Sequence, residues 1–143
     1  MNIEIPKIGM TFSRVLMPQL GPEEEFKKNL DKADIEYKDV TVNPKDLKAS
    51  QSEFDLDKVA LMMIEPRQYK SGIIISNDNY ILDGHHRWIV AFNKNQKLNV
   101  VKVDLPILEL MRIAKTFENT TYKPITECVK SVISRAVVNK RYK

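Results

Sequence analysis

The sequence predicts one α+β domain, in which helices flank a small mixed sheet and a basic helical extension follows at the C-terminus. Three observations favour this fold class. The chain has 143 residues, of which 43% are hydrophobic, and this length suits a single domain with its own core. Short β-rich runs alternate with apolar residues at helical spacing. Only four glycines are present, which leaves little room for long flexible linkers.

The N-terminal part predicts an arm and a helix. Prolines and glycines interrupt residues 1–21, so we expect an arm with at most a short strand around Ile3–Ile5. The acidic run Glu23–Glu25 follows Pro22 and predicts the first turn of a helix that ends near Ala33. Proline suits the start of a helix, and acidic residues complement the positive end of its dipole.

The central part contains the predicted sheet. A strand over Tyr37–Val42 ends at Asn43-Pro44, and a short helical or turn segment is expected over Asp46–Ala49. The turn Asn77-Asp78-Asn79 is the strongest hairpin signal in the chain. The remaining predicted strands are Gly72–Ser76, Tyr80–Leu82 and Leu98–Val103, and the predicted helices are Asp55–Met63 and His85–Asn93.

The C-terminal part predicts helices and carries the basic charge. Pro106 opens a helix from Ile107 to about Phe117, and Ile125–Val138 has the spacing of an amphipathic basic helix. Residues 112–143 hold 8 basic and 2 acidic residues, a net charge of +6, whereas residues 1–111 hold 15 and 17, a net charge of −2. The last helix either packs on its own domain or binds a nucleic acid or another partner. We divide the single domain into residues 1–36, 37–106 and 107–143.

Composition excludes several classes of protein. No apolar run approaches the roughly 20 residues of a membrane span, and residues 1–10 are too polar for a signal peptide. The single cysteine, Cys128, cannot form an internal disulfide, which fits a reducing compartment. We therefore expect a cytoplasmic protein without a membrane partner. The net charge of +4 and the pI near 9.1 suggest an anionic partner.

The segment Asp83–Arg87 concentrates the chemistry. His85, His86 and Arg87 would place cationic side chains at a helix start, where unpaired N–H groups and the helix dipole are already positive. A phosphate would remove this conflict, and Gly84 would let the backbone approach it closely. Asp83 either caps the helix or, beside a phosphate, holds Mg²⁺ or aligns an attacking hydroxyl.

The run Asp83-Gly84-His85-His86-Arg87, preceded by a hairpin and followed by a short helix and a strand, resembles the ParB/sulfiredoxin superfamily. It is most similar to the branch with an Asp-Gly-His-His-Arg motif, which includes phage ParB-like domains and the free serine kinases. Upstream, Val40–Pro44 resembles the first strand of the family, and Ser50–Val59 resembles its first conserved box and helix. The resemblance covers about residues 39–106, half of the chain.

This resemblance implies a nucleotide site. A nucleoside di- or triphosphate (ATP, ADP or CTP) would be the ligand, with Mg²⁺ at Asp83. The residues implied in phosphate or nucleotide binding are Ser50, Gln51, Gly84, His85, His86 and Arg87. Glu53, in the box where the kinases keep a catalytic glutamate, would be a general base with Asp83 assisting. A surface glutamate without a catalytic role is the alternative for Glu53.

The chain also departs from the family's best-known members. Sulfiredoxins have a cysteine where this chain has His85, and partitioning ParB proteins have Glu-Arg-Arg after the glycine and a downstream helix-turn-helix domain. The expected function is hydrolysis or transfer of a nucleotide phosphate. One alternative is a ParB-like nuclease or DNA-binding module that holds DNA through the basic C-terminal helix. The other is a phage accessory or structural protein that keeps the fold without activity.

Overall fold

The structure, a computed structural model, describes residues 3–13, 16–65, 69, 71–117 and 120–122. Within these residues the chain forms a mixed α+β fold, as the sequence predicts. The strands are β1 (Ile8–Phe12), β2 (Pro18–Gln19), β3 (Tyr37–Val42), β4 (Lys48–Gln51), β5 (Ile73–Ile75), β6 (Tyr80–Asp83), β7 (Leu98–Val103) and β8 (Thr121–Tyr122). The helices are α1 (Glu23–Lys32), α2 (Leu56–Ile64), α3 (His85–Asn93) and α4 (Ile107–Ala114), with a 3₁₀ turn over Pro44–Asp46.

Six strands form one mixed sheet in the order β1-β4-β6-β5-β7-β3. β1, β4 and β6 pair in parallel, β5 pairs antiparallel to β6 and parallel to β7, and β3 pairs antiparallel to β7. β2 and β8 form a separate antiparallel pair. The predicted hairpin is confirmed, and its turn residue Asn79 has a φ of 68°, a conformation that asparagine tolerates.

Helices cover both faces of this sheet. In β5, Ile73 and Ile75 belong to a hydrophobic cluster with α2 and α3, whereas Ile74 belongs to a second cluster with α1 and α4. Successive side chains of a strand point to opposite faces, so a run of three isoleucines suits a strand that is buried on both sides. Trp88 of α3 is fully buried in the first cluster, and its indole N–H donates to the carbonyl oxygen of Pro44 at 2.8 Å.

The N-terminal arm differs from the prediction. No strand forms over Ile3–Ile5. Instead, the backbone N–H and carbonyl of Glu4 exchange two hydrogen bonds of 2.8 Å with the side-chain amide of Asn93. A carboxamide offers the same donor and acceptor as a peptide group, so this side chain replaces a neighbouring strand. The strand of the arm is β1, in which Ile8, Met10 and Phe12 are half-buried.

The segment before α2 also differs. The expected helical or turn segment over Asp46–Ala49 is wrong in its second half, because the 3₁₀ turn ends at Asp46 and β4 begins at Lys48. β4 pairs in parallel with β1 on one side and with β6 on the other. Its polar sequence lacks the period of a strand, and pairing on both sides with distant strands determines its conformation.

The C-terminal predictions have two outcomes. The helix that Pro106 opens is confirmed, although it ends at Ala114 rather than near Phe117. The predicted basic helix over Ile125–Val138, with Cys128, lies outside the described residues. In the part of the chain that the structure does describe, none of the helices combines the length and apolar character needed to cross a bilayer.

Candidate functional site

A single residue, Gly84, separates the end of β6 from the start of helix α3. This residue has a φ of 100° and a ψ of 24°, a left-handed conformation that favours glycine. A Cβ atom there would lie 2.7 Å from Cγ1 of Ile73 and 3.2 Å from its Cα. Gly84 is the N-cap, so the prediction that Asp83 caps the helix is wrong, and Asp83 is instead the last residue of β6.

The N-terminus of α3 favours an anion. The first N–H groups of an α-helix have no acceptor within the helix. The N-cap residue Gly84 has no side chain that could cap α3, and the first turn of the helix contains no acidic residue. The partial positive charge of this helix end is therefore not balanced by the helix's own side chains.

Both histidines of the motif accept hydrogen bonds from backbone N–H groups. Nε2 of His85 lies 3.2 Å from the amide nitrogen of Ser50, and Nε2 of His86 lies 3.0 Å from that of Asp55. A backbone amide can only donate, so each Nε2 is unprotonated and each imidazole is neutral with its proton on Nδ1. The expectation of three cationic side chains is therefore wrong for the two histidines, and Arg87 is the only cation of the motif.

The guanidinium of Arg87 is hydrogen-bonded to the two residues that precede β5. Its Nη1 donates to the carbonyl oxygen of Gly72 at 3.0 Å and, more weakly, to that of Ser71 at 3.4 Å. Nε and Nη2 make no hydrogen bond with the residues that the structure describes. Gly72 has a φ of 79°, and an added Cβ would lie only 2.0 Å from Nη1. Glycine at position 72 thus makes the space that the guanidinium occupies.

These groups line a cleft of about 640 Å³ together with Asp83 and the start of α3. Residues of α2 also line the cleft, as does the segment 19–23 with Phe26, which includes the start of α1. The volume lies within the range of small-molecule sites, roughly 300–1,000 Å³. Of the residues predicted for the site, those that line the cleft are Gln51, Asp83, Gly84, His85, His86 and Arg87.

Ser50 and Glu53 are not among the lining residues. Ser50 is fully buried; its hydroxyl donates to the carbonyl oxygen of Ile81, and its amide holds the ring of His85. Glu53 is 2% exposed and its Oε2 is buried. Gln51 is 5% exposed, and its Nε2 donates to the carbonyl oxygen of Glu53 at 2.7 Å. Ser50 thus supports His85, and the buried Glu53 is not part of the cleft lining.

Several residues that line the cleft were not predicted for the site from the sequence. Three of them, Lys58, Leu61 and Glu65, lie on α2 or directly after it, and the buried Tyr69 follows. The first three are separated by three and four positions, so they lie on one side of the helix. This spacing in the sequence could have identified them as one surface. The contribution of residues 19–23 could not be read locally, because β2 is placed by pairing with β8, about a hundred positions away.

The described residues contain no cluster of three or more His, Cys, Asp or Glu side chains arranged to hold a metal ion. A single carboxylate such as Asp83 still suits Mg²⁺, which usually binds through one or two carboxylates together with substrate phosphates and water.

Comparisons with protein-family models, with curated proteins and with solved structures find no match for this chain.

Proposed function

We propose that this protein binds a nucleoside di- or triphosphate, such as ATP, ADP or CTP, in the cleft and hydrolyses or transfers one of its phosphates. The phosphates would lie at the N-terminus of α3. The observation that carries the proposal is that the start of α3, with glycine at its N-cap, and Arg87 line one cleft of suitable size. Backbone N–H groups and a guanidinium fork are the donors that phosphate oxygens accept best.

The apolar part of the cleft suits the rest of a nucleotide. Leu20 and Phe26 line the cleft, and so does Met62 of α2. A base or ribose needs such surfaces because most of a bound ligand is buried against apolar side chains, with a few polar groups for orientation. Lys58 adds a second cation on the α2 side.

Mg²⁺ fits the same proposal. Asp83 lines the cleft beside the start of α3, and its carboxylate would hold the ion next to the phosphates. When bound, Mg²⁺ would neutralise charge on the phosphate oxygens. Asp83, Arg87 and the helix end would then fix the phosphates in one orientation.

The DNA-binding alternative shares the phosphate chemistry but receives less support from the cleft. Among the residues that the structure describes, its lining contains two full cations, Lys58 and Arg87, and three carboxylates, Glu23, Glu65 and Asp83. Nucleic acids favour surfaces with a clear excess of basic residues. A compact ligand that brings its own metal ion suits this mixture better. The basic segment that motivates the alternative lies outside the described residues.

The test is thermal unfolding with ATP, ADP, CTP and a short DNA duplex, each with and without Mg²⁺. A ligand at 100 times its dissociation constant stabilises a protein by about 2.7 kcal/mol, which is a clear shift in Tm. We expect a shift with at least one nucleotide and its loss in Arg87→Ala. Arg112→Ala, which removes an exposed arginine of α4 outside the cleft, is the control and should behave as the wild type.

Two outcomes contradict the proposal. One is a wild-type protein that no nucleotide stabilises. The other is an Arg87→Ala variant that is folded by circular dichroism and binds nucleotide as tightly as the wild type. A shift with DNA alone that falls steeply with salt would favour the DNA-binding alternative.

A further inference from the structure

Besides Asp83 and Glu23, a third carboxylate lines the cleft at the end of α2. Glu65 directly follows this helix, and its Oε2 accepts a hydrogen bond of 2.5 Å from the hydroxyl of Tyr69. Tyr69 is only 9% exposed, whereas Glu65 is exposed. Both residues line the cleft together with Arg87 and Asp83. A buried ring thus fixes one oxygen of an accessible carboxylate.

The position of Glu65 is electrostatically unfavourable. It is the C-cap of α2, where the helix dipole is negative, and the last turn of α2 contains no basic residue. A carboxylate there gains from positive charge that arrives in the cleft. Arg87 lines the same cleft, so the acid and the group that would hold the phosphates face one ligand space.

We infer that Glu65 is the general base of the proposed reaction, in place of Glu53, and that Tyr69 positions it. This inference rests on the proposed function. A general base must come within hydrogen-bond reach of the proton that it removes. Glu65 lines the cleft, whereas Glu53 is buried and does not.

The step balances without a further reactant. An oxygen of water, or of an acceptor hydroxyl, attacks the terminal phosphorus of the nucleotide and gives its proton to Oε1 of Glu65. The bond between phosphorus and the bridging oxygen breaks, and the shortened nucleotide leaves with the electron pair of that bond. With water as the attacking group the other product is inorganic phosphate, and the proton on Glu65 returns to solvent.

The experiment compares Glu65→Gln with the wild type in nucleotide binding and in phosphate release. Glutamine keeps a side-chain oxygen that accepts the hydroxyl of Tyr69, so the local fold should survive, and Tm reports whether it does. We expect the dissociation constant to change by less than about threefold and kcat to fall by about 100-fold or more, the usual contribution of a general base.

Two further variants sharpen the comparison. Tyr69→Phe keeps the ring and removes the hydroxyl, so kcat should fall about tenfold while KM is unchanged, because a positioning residue does not hold the nucleotide. Glu24→Gln removes an exposed acid of α1 that does not line the cleft, and it should match the wild type.

Each outcome has a distinct meaning. If Glu65→Gln turns over nucleotide at the wild-type rate, or if a folded Glu53→Gln loses turnover while Glu65→Gln keeps it, the role of Glu65 is wrong and the nucleotide site stands. If the wild type binds nucleotide but releases no phosphate and transfers none, the reaction and the base are both wrong. If the wild type binds no nucleotide, the proposed function itself fails.

Discussion

Replacing Gly72 with alanine should weaken nucleotide binding through Arg87, although Gly72 itself has no side chain. The new Cβ would lie 2.0 Å from Nη1 of Arg87 and 3.2 Å from Cζ. These atoms are the far end of a flexible side chain, so the guanidinium would move rather than the backbone. In moving, it would lose the 3.0 Å hydrogen bond to the carbonyl oxygen of Gly72.

The magnitude follows from three contributions. A left-handed alanine at a φ of 79° costs about 1–2 kcal/mol. The lost hydrogen bond of Arg87 costs about 1.5 kcal/mol, the low end for a charged donor, since the side chain is half-buried. The smaller freedom of alanine in the unfolded chain offsets about 0.4–1 kcal/mol. The free energy of unfolding should therefore fall by about 1.5–3 kcal/mol.

A double-mutant cycle separates the displacement of Arg87 from the backbone strain at residue 72. Urea unfolding and nucleotide titration would be measured for the wild type, Gly72→Ala, Arg87→Ala and the double variant. We expect Gly72→Ala to weaken nucleotide binding about tenfold in the wild-type background, equivalent to about 1.4 kcal/mol. In the Arg87→Ala background it should leave binding unchanged and lower stability only by the backbone strain, about 1 kcal/mol.

Two results would refute this reasoning. Unchanged binding by Gly72→Ala would mean that the position of Arg87 does not matter to the ligand. An equal loss of binding in both backgrounds would mean that the methyl group meets the ligand directly, because Gly72 also lines the cleft.

Two further substitutions test how the cleft wall and the arm are held. Gly84→Ala adds a Cβ that would lie 3.2 Å from the backbone of Ile73, at a φ of 100°. Urea unfolding should therefore show that the free energy of unfolding falls by about 3 kcal/mol. A fall below about 1 kcal/mol would mean that the turn adapts. Asn93→Leu removes both hydrogen bonds to the N-terminal arm. Limited proteolysis should then cut the arm faster, while nucleotide binding persists. An unchanged rate of cleavage would mean that apolar contacts alone hold the arm.

Local signals in the sequence predict much of the fold. Tyr37–Val42, His85–Asn93 and Leu98–Val103 have the same bounds in the structure as in the prediction. In each case, nearby residues contain the information: Asn43-Pro44 ends one strand, and Gly84 opens the helix. Apolar residues at a single clear period then define the element between such boundaries.

The elements that the sequence does not predict are those that distant pairing determines. β4 is polar and irregular, and it is a strand because β1 and β6 flank it in the sheet. The residues of the turn Asp83–Arg87 are local in sequence and were predicted as a site, whereas the contribution of residues 19–23 depends on the pairing of β2 with β8. Glu53 illustrates the same limit, since its place in the sequence did not show that it is buried and absent from the cleft lining.

The two histidines of the motif have a structural role that its sequence alone does not suggest, because both accept hydrogen bonds from the backbone. His85 accepts the backbone N–H of Ser50 in β4, and His86 accepts that of Asp55 directly before α2, so the start of α3 is held to both elements. Neutral rings with protonated Nδ1 atoms are donors without a full charge. In the proposed site, the attraction for phosphate would then come from the helix dipole and from Arg87, whose position depends on a glycine outside the motif. The motif therefore requires Gly72 as much as its own residues.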